Sequence, residues 1–303
     1  MRLGLDIGGT KMEAVVLDEQ GLVVYRQRYE TPKESYQAFF EGVVEVITAA
    51  GAAIAQPLSI GLGIPGTVDT HTGLVKNSNI LVLNQQSFAR ELEAALRQPV
   101  AVTNDANCFT LSEAIDGSGK GYDTVFGVIL GTGCGGGISI NKRVISGPNA
   151  CAGEWGHNAL PRYLPAVDGD GVTCYCGQQN CVESFISGTG LERQYYESVK
   201  QRSNVLQIMK QVESGEAQSV RLWLRFQDQL ARSLAGVINT LDPDVIVIGG
   251  GLSNIDSLYD GLQERVAKYV FGNRCCTPIL AATHGDSSGV RGAAWLGEQV
   301  MKA

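Results

Sequence analysis

"LGLDIGGTK" (residues 3–11) returns in altered form as "FGVILGTGC" (residues 126–134). In each copy an apolar run reads as a strand, a glycine turn carrying a threonine follows, and a second strand leaves the turn. KMEAVVLDEQGLVVYRQRYE (residues 11–30) extends the first copy as a hairpin, with Glu19, Gln20 and Gly21 near its turn. A weak duplication of this kind predicts two related halves. Residues 34–50, 87–97, 204–213, 217–240 and 256–270 are spaced as helices. NCFTLSEAI (107–115) and the chain end from 288 to 303 read as two more. PLSIGLGIPG (57–66), VAVTNDAN (100–107) and DPDVIVIGGG (242–251) read as strands running into glycine or polar loops. Strands alternating with helices predict an α/β architecture, and the hairpins predict mixed sheets. Residues 158–182 are the least periodic.

Composition narrows the function. The 303 residues suffice for two domains, and a chain of that length needs no staples to fold. A net charge of −7 and the lack of any basic run argue against nucleic-acid binding. No stretch of 18 apolar residues suggests a membrane span, and MRLGLDIGGTK is no signal peptide. A cytoplasmic location is expected. In that reducing compartment eight cysteines are no disulfide framework. Cys108, Cys134, Cys151, Cys275 and Cys276 are expected as small buried side chains.

The 38 glycines cluster in turns: GGT (8–10), GLGIPG (61–66), GTGCGGG (131–137), GGG (249–251) and GVRG (289–292). In DIGGTK, backbone N–H groups at the glycines could face an anion, Thr10 adds a hydroxyl and Lys11 a cation. Asp6 beside this turn could hold Mg²⁺, directly or through water. A plain hairpin turn would also account for the motif. The second loop favours a cleft gripping a polyphosphate from both sides. Neither loop is GxxxxGK[ST], and both lead into strands, which excludes a P-loop and a dinucleotide fingerprint. The turn Gly249-Gly250-Gly251 opens a region that could receive a nucleoside.

In TNDANC (103–108), Asp105 stands where a strand meets a helix. It is either a helix N-cap or a general base for a sugar hydroxyl attacking a γ-phosphate. Asn104 beside it could donate to and accept from vicinal hydroxyls. Cys174, Cys176 and Cys181 follow GEWGH (153–157) closely. A disulfide between Cys174 and Cys176 would be strained, and either one bonded to Cys181 leaves a thiol over. Three thiolates and the His157 imidazole form a soft tetrahedral set that suits a structural Zn²⁺.

Taken in order, DIGGTK, GIPG, NDAN, GTGCGGG, GEWGH, CYCGQQNCVE and DPDVIVIGGG resemble the ROK group of bacterial sugar kinases, from Leu3 to about Gly297. The most specific element is GE-x-GH followed by C-x-C-G-x₃-C-x-E. GTGCGGG, CAGEWGHN, CYCGQQNCVESFISGTG and HGDSSGVRGAAW look most like the fructokinases, or manno(fructo)kinases, with the N-acetylglucosamine kinases close behind. The resemblance implies an actin-like, hexokinase-type fold of two ribonuclease-H-like domains around a cleft. They would span 1–117, completed by a returning C-terminal helix 288–303, and 118–287 with the zinc site. It implies ATP and Mg²⁺, a hexose substrate and a homodimer. Residue by residue, it makes Asp105 the base. Asn104, Glu154, His157 and Glu183 become sugar ligands. Asp6, Gly9, Thr10 and Lys11 fall in the first phosphate loop, Gly131, Thr132 and Gly133 in the second, and Gly250 and Gly251 near the adenosine. His157, Cys174, Cys176 and Cys181 hold the zinc, which would pin Glu154 and Glu183 at one side of the sugar. The group usually has glycine where this chain has Asn180, and asparagine tolerates the left-handed turn this requires.

The resulting expectation is ATP-dependent phosphorylation of a hexose 6-hydroxyl, ranked fructose, then mannose, then N-acetylglucosamine, with glucose as a further alternative. The rival from another class is a non-catalytic sugar-sensing regulator. The glycine loop beginning at residue 6 leaves no room for its DNA-binding domain, and the intact DxGGT, NDAN and GTG motifs favour catalysis. The zinc knuckle and GEWGH set the chain apart from actin-like chaperones and acetate kinases.

Overall fold

The computed structural model describes residues 1–285 and 288–301. The last two residues of the expected helix 288–303 therefore lie outside the described residues. The chain divides into two compact units, one of residues 1–127, 137–153 and 283–303, the other of residues 128–136 and 154–282.

The first unit is built on a five-stranded sheet. Its strands are β1 (Arg2–Ile7), β2 (Lys11–Leu17), β3 (Val23–Glu30), β4 (Ser59–Ile64) and β7 (Val100–Asn104), in the order β3-β2-β1-β4-β7. β1, β2 and β3 form the expected antiparallel meander, and β4 and β7 join in parallel. This is the ribonuclease-H-like order. Between β4 and β7 lie a small ribbon of β5 (Thr67–Val68) and β6 (Val75–Lys76), then helix α2 (Phe88–Leu96). Helix α1 (Tyr36–Ile54) is long and apolar enough to cross a bilayer. It is instead amphipathic: Phe39, Val43, Val46, Ile47 and Ala50 join the core formed by Leu3, Leu5 and Leu62, while Glu41 and Glu45 face solvent.

Helix α3 (Asp105–Ile115) follows β7 without a loop. The polar stretch read as a loop is the start of this helix. Its N-cap is Asn104, whose Oδ1 accepts the N–H of Asn107 at 2.8 Å. Asp105 is thus the first helical residue and not the cap. The C-terminal helix, labelled α10 below, spans Ser288–Met301 and packs on β1 and β4. The approach is so close that a Cβ at Gly61 would stand 2.0 Å from the Ala293 carbonyl oxygen. Glycine is required there by contact rather than by a turn.

The second sheet repeats the order as β10-β9-β8-β11-β12. Its strands are β8 (Thr124–Leu130), β9 (Cys134–Ile140), β10 (Arg143–Val144), β11 (Val245–Gly249) and β12 (Ile279–Ala281). The expected partition at 117/118 keeps this sheet whole, whereas the compact units divide it along β8 and β9. Helices α4 (Pro165–Asp168), α5 (Glu183–Ile186), α6 (Gly188–Val199), α7 (Val205–Glu213), α8 (Ala217–Leu241) and α9 (Leu262–Ala267) belong to the second unit. One helix over 256–270 is not found. A 3₁₀ turn, Asp256–Leu258, ends before Gly261, whose φ of 62° breaks the run ahead of α9. Of the five cysteines expected as buried, Cys108 and Cys134 are buried, Cys275 is half-buried, and Cys151 and Cys276 are exposed.

The irregular stretch 158–182 is anchored through side chains. Arg232 of α8 bonds the carbonyl oxygens of Pro161 and Arg162 and forms an ion pair with Asp168. Asp168 also accepts the N–H of Leu164 at 2.9 Å. Both charged groups are buried, with side chains 4% and 0% exposed. Arg232 and the Leu164 N–H hold the Asp168 carboxyl below the usual carboxylate range against the effect of burial.

Candidate functional site

In the first unit the site is the C-terminal edge of β1 and β7. Asp6 is the penultimate residue of β1, and the turn Gly8–Thr10 follows it. The turn is closed by the Gly8 N–H donating to Lys11 O at 2.8 Å. Thr31, just past β3, binds it from the side: its hydroxyl donates to Gly8 O at 2.8 Å and its N–H to Thr10 O at 3.1 Å. Lys33 Nζ donates to Gly9 O at 3.4 Å. The loop therefore has two lysines beside it, Lys11 and Lys33. Lys33 was missed in the sequence because it sits more than twenty positions away, and only the β2–β3 hairpin returns it.

Asp6 is enclosed by β4, α3 and α10. Ideal Cβ positions at Gly63 and Gly289 would stand 3.5 Å and 2.9 Å from its two carboxyl oxygens. Its pKa is pushed up to about 7, first by burial, then by the negative charges of Asp105 and Glu13. Asp105 heads α3 with its carboxylate reaching solvent, and its Oδ1 accepts the N–H of Ala106 at 2.9 Å. Protein crowds the rest of the group, and that loss of hydration raises its pKa more than the N–H bonds lower it. Two carboxylates with raised proton affinity, one of them at the surface, suit proton acceptance and cation binding. Asn104 keeps its amide N–H₂ as a donor while its carbonyl oxygen caps α3.

In the second unit, Gly131, Thr132 and Gly133 link β8 to β9, and Gly131 N–H donates to Gly133 O at 3.0 Å. The N-terminus of α6 lies against this loop. Gly188 N–H donates to Gly131 O and Thr189 Oγ1 to Thr132 O, both at 2.8 Å. Ser187 caps α6 by accepting the N–H of Gly190 at 3.0 Å. The positive end of a 12-residue helix is thereby added to the loop. Along α6 and the start of α7 runs a cavity of about 480 Å³, lined by Thr189, Arg193, Tyr196, Arg202 and Asn204 among others. Gly250 and Gly251 follow β11, and Gly250 N-caps a 3₁₀ turn at Gly251–Asn254. Of the cavity's residues only Thr189 lies in a motif read from the sequence, and none was assigned a role there.

Glu154 precedes and His157 ends a 3₁₀ turn, Trp155–His157, docked on β9 by Trp155 Nε1 donating to Gly135 O at 2.9 Å. Glu183 heads α5, and its Oε2 accepts the N–H of Cys134 at 2.8 Å. The two segments are also stitched together by backbone. Leu160 N–H donates to Asn180 O at 2.7 Å and Val182 N–H to Asn158 O at 2.8 Å. Asn180 has the expected left-handed conformation, with φ 56°.

His157, Cys174, Cys176 and Cys181 converge, one ligand atom from each lying within 4.8 Å of the others. Cys174 Sγ is 3.7 Å from His157 Nδ1, and Cys176 Sγ is 3.6 Å from Cys181 Sγ. A tetrahedral zinc with Zn–S bonds of about 2.3 Å places its sulfurs roughly 3.8 Å apart. The donor set and its spacing fit such an ion, and all three cysteines are free thiols.

Residues 2–300 match the ROK family. An N-acetyl-D-glucosamine kinase of Photobacterium profundum is 39% identical over 98% of this chain and 99% of its own length. One of Haemophilus influenzae is 38% identical with the same coverage. Among solved structures, a ROK hexokinase of Thermus thermophilus superposes with a TM-score of 0.89 at 29% identity, covering 99% of both chains. A ROK family glucokinase of Streptomyces griseus, solved with glucose and AMPPNP, gives 0.76 at 28% identity, covering 98% of this chain and 99% of its own.

Proposed function

The chain belongs to the ROK family and has its hexokinase-type, actin-like fold, and from that premise we propose that it is an ATP-dependent N-acetylglucosamine 6-kinase. The observation that carries the reading is the match, over nearly the full length of both chains, to relatives named N-acetyl-D-glucosamine kinase. They favour that sugar over fructose, which the motifs alone had ranked first. Glucose is the second reading, because the glucokinase relative was solved with it. A cytoplasmic location accords with the use of ATP.

In this reading Asp105 is the general base. Its carboxylate takes the proton of the 6-hydroxyl while that oxygen bonds to the γ-phosphorus. The bond from that phosphorus to the β–γ bridging oxygen breaks, and ADP leaves. The raised proton affinity of Asp105 supports this role. Asn104, Glu154, His157 and Glu183 hold the sugar hydroxyls. The two glycine loops, Asp6–Lys11 and Gly131–Gly133, bind the phosphates, the second with the N-terminus of α6 behind it. The cavity along α6, with Gly250 and Gly251, takes the nucleoside. Asp6 would hold Mg²⁺, directly or through water, and the cation would neutralise charge on the transferring phosphoryl group. His157, Cys174, Cys176 and Cys181 would hold Zn²⁺, a closed site that orders the sugar-binding segments.

The test is a coupled ADP-release assay with ATP·Mg²⁺ and N-acetylglucosamine, glucose, mannose and fructose, each over a range of concentrations. The expected result is a dominant kcat/KM for N-acetylglucosamine. A dominant value for another hexose moves the substrate assignment, and no turnover on any of the four overturns the kinase reading.

A further inference from the structure

His157 has two ring nitrogens, and both are engaged. Nδ1 faces the cysteine cluster, 3.7 Å from Cys174 Sγ. Nε2, the nitrogen left for a sugar, lies 3.1 Å from the hydroxyl of Tyr175. The two rings meet edge to face, 5.2 Å apart at 88°. Tyr175 sits between Cys174 and Cys176, so a bound ion would fix its backbone on both sides. Its side chain is nevertheless 83% exposed. Apolar burial therefore does not hold the ring in place, and the hydroxyl contact is what orients it. The phenol also lies within electrostatic reach of Glu183 and Glu154. It touches His157, one of the groups assigned above to the sugar.

We propose that Tyr175 sets affinity and selectivity at the sugar subsite: its hydroxyl occupies the Nε2 face of His157 as an internal stand-in for a sugar hydroxyl, and the substrate binds by displacing it. The inference rests on reading His157, Glu154 and Glu183 as sugar ligands. With the Nδ1 lone pair on a metal, Nε2 carries the proton and donates it to whichever oxygen is nearer. A sugar that places a hydroxyl there exchanges one hydrogen bond for another. A sugar that does not leaves the phenol in place or leaves the Nε2 proton without an acceptor. The exposed ring can swing into solvent with little loss of packing, so the exchange needs no rearrangement of the core.

The experiment is calorimetric titration of wild type and Tyr175→Phe with N-acetylglucosamine, with zinc content measured on the same samples. Removing the internal competitor should lower Kd about threefold to tenfold with zinc content unchanged, the range for one net hydrogen bond. An unchanged or higher Kd in a variant that retains wild-type zinc content overturns the proposal. Wild type carrying tyrosine labelled with ¹³C at Cζ provides an independent measurement, with the Tyr175 resonance assigned by its loss in the variant. Saturating sugar should shift that resonance, and sugar binding with an unmoved Tyr175 overturns the proposal alone. A wild type that binds none of the four hexoses overturns the sugar reading and this inference with it.

Discussion

The carboxylate of Glu183 accepts the backbone N–H of Cys134 at 2.8 Å, joining the first residue of α5 to the strand that leaves the second glycine loop. One oxygen of a proposed sugar ligand is thus fixed on the strand that leaves the second glycine loop, and the other is left for the sugar. Glu183→Gln keeps an acceptor in place, whereas Glu183→Ala leaves the buried Cys134 N–H without this partner. The Ala variant should lose about 10- to 100-fold in kcat/KM, the range for a hydrogen bond to a charged group, and the Gln variant distinctly less. Steady-state kinetics with both substrates varied checks this. Equal losses in the two variants would mean that the negative charge matters and the Cys134 bond does not.

Asp105→Asn should leave sugar affinity within a few-fold of wild type and cut kcat by at least about a hundredfold, the range for loss of a general base. Calorimetry and turnover are measured on the same preparation. Because partial loss of hydration raises the pKa of the Asp105 carboxyl, the acid limb of the wild-type kcat–pH profile should lie above the ordinary aspartate range. Near-normal turnover in the variant would remove Asp105 from the mechanism.

Asp6 predicts a pH-dependent stability. Its pKa is raised from 3.8 to about 7, so between those values the folded protein binds a proton that the unfolded chain has released. Its contribution to stability therefore falls as pH rises from about 4 to about 7, and above that the ionised group is a full burden. Asp6→Asn removes the burden. The variant should be more stable than wild type at pH 8 by on the order of a few kcal/mol, with the gain vanishing near pH 4. Urea titrations at several pH values, without added metal or nucleotide, check the trend. A gain independent of pH would show that Asp6 titrates normally.

The Arg232–Asp168 pair carries the irregular segment, and breaking it should cost more than a surface charge would. Arg232→Ala strands a buried carboxylate and frees the carbonyls of Pro161 and Arg162. The expected loss is about 3–5 kcal/mol at neutral pH, the range for an uncompensated buried charge. Arg232→Ala with Asp168→Ala should recover part of it. A double variant as unstable as the sum of the two singles would show no coupling between them.

The outline of the fold was legible because the two glycine–threonine turns are bracketed by strands, the first opening on a strand whose alternation matches its burial, Leu3, Leu5 and Ile7 against the half-buried Asp6. The meander of β1, β2 and β3 and the helices α7 and α8 follow the same logic. Helix α6 was not legible. Its opening, Gly188-Thr189-Gly190, looks like a loop, yet the glycines serve close packing. Cβ atoms there would stand 3.0 Å from Gly131 O and 2.7 Å from Ser184 O. Gly131 is far from Gly188 in sequence, and Ser184 meets Gly190 only because α5 turns into α6, so no residue pattern reports either contact. Glu113 was missed for the same reason. Fully buried, it accepts the N–H groups of Ser118, Thr283 and His284 and the hydroxyl of Ser288, and so fixes the approach to α10. The cysteine cluster was legible because four soft ligands within 25 positions have few other uses, while Tyr175 between them carried no signal of its own.

The metal prediction separates two ways of ordering the segments proposed to bind the sugar. Backbone bonds already pair residues 158–160 with 180–182, and Trp155 docks the preceding turn on β9. These contacts do not depend on an ion. Cys174 and Cys176 sit in the adjoining turn, closed by Cys174 N–H donating to Gln178 O and Asn180 N–H to Val172 O, both at 2.8 Å, and a metal would tie their thiols to His157. Cys176→Ser should therefore abolish stoichiometric zinc while leaving the far-ultraviolet circular dichroism of the fold intact. His157 would lose its anchor at Nδ1, and sugar Kd should rise about tenfold, with KM for ATP little changed. Atomic absorption and calorimetry on the same protein measure both effects. Full zinc occupancy in the variant would overturn the four-ligand assignment. Loss of zinc with an unchanged sugar Kd would show that the backbone pairing alone holds Glu154, His157 and Glu183 in place.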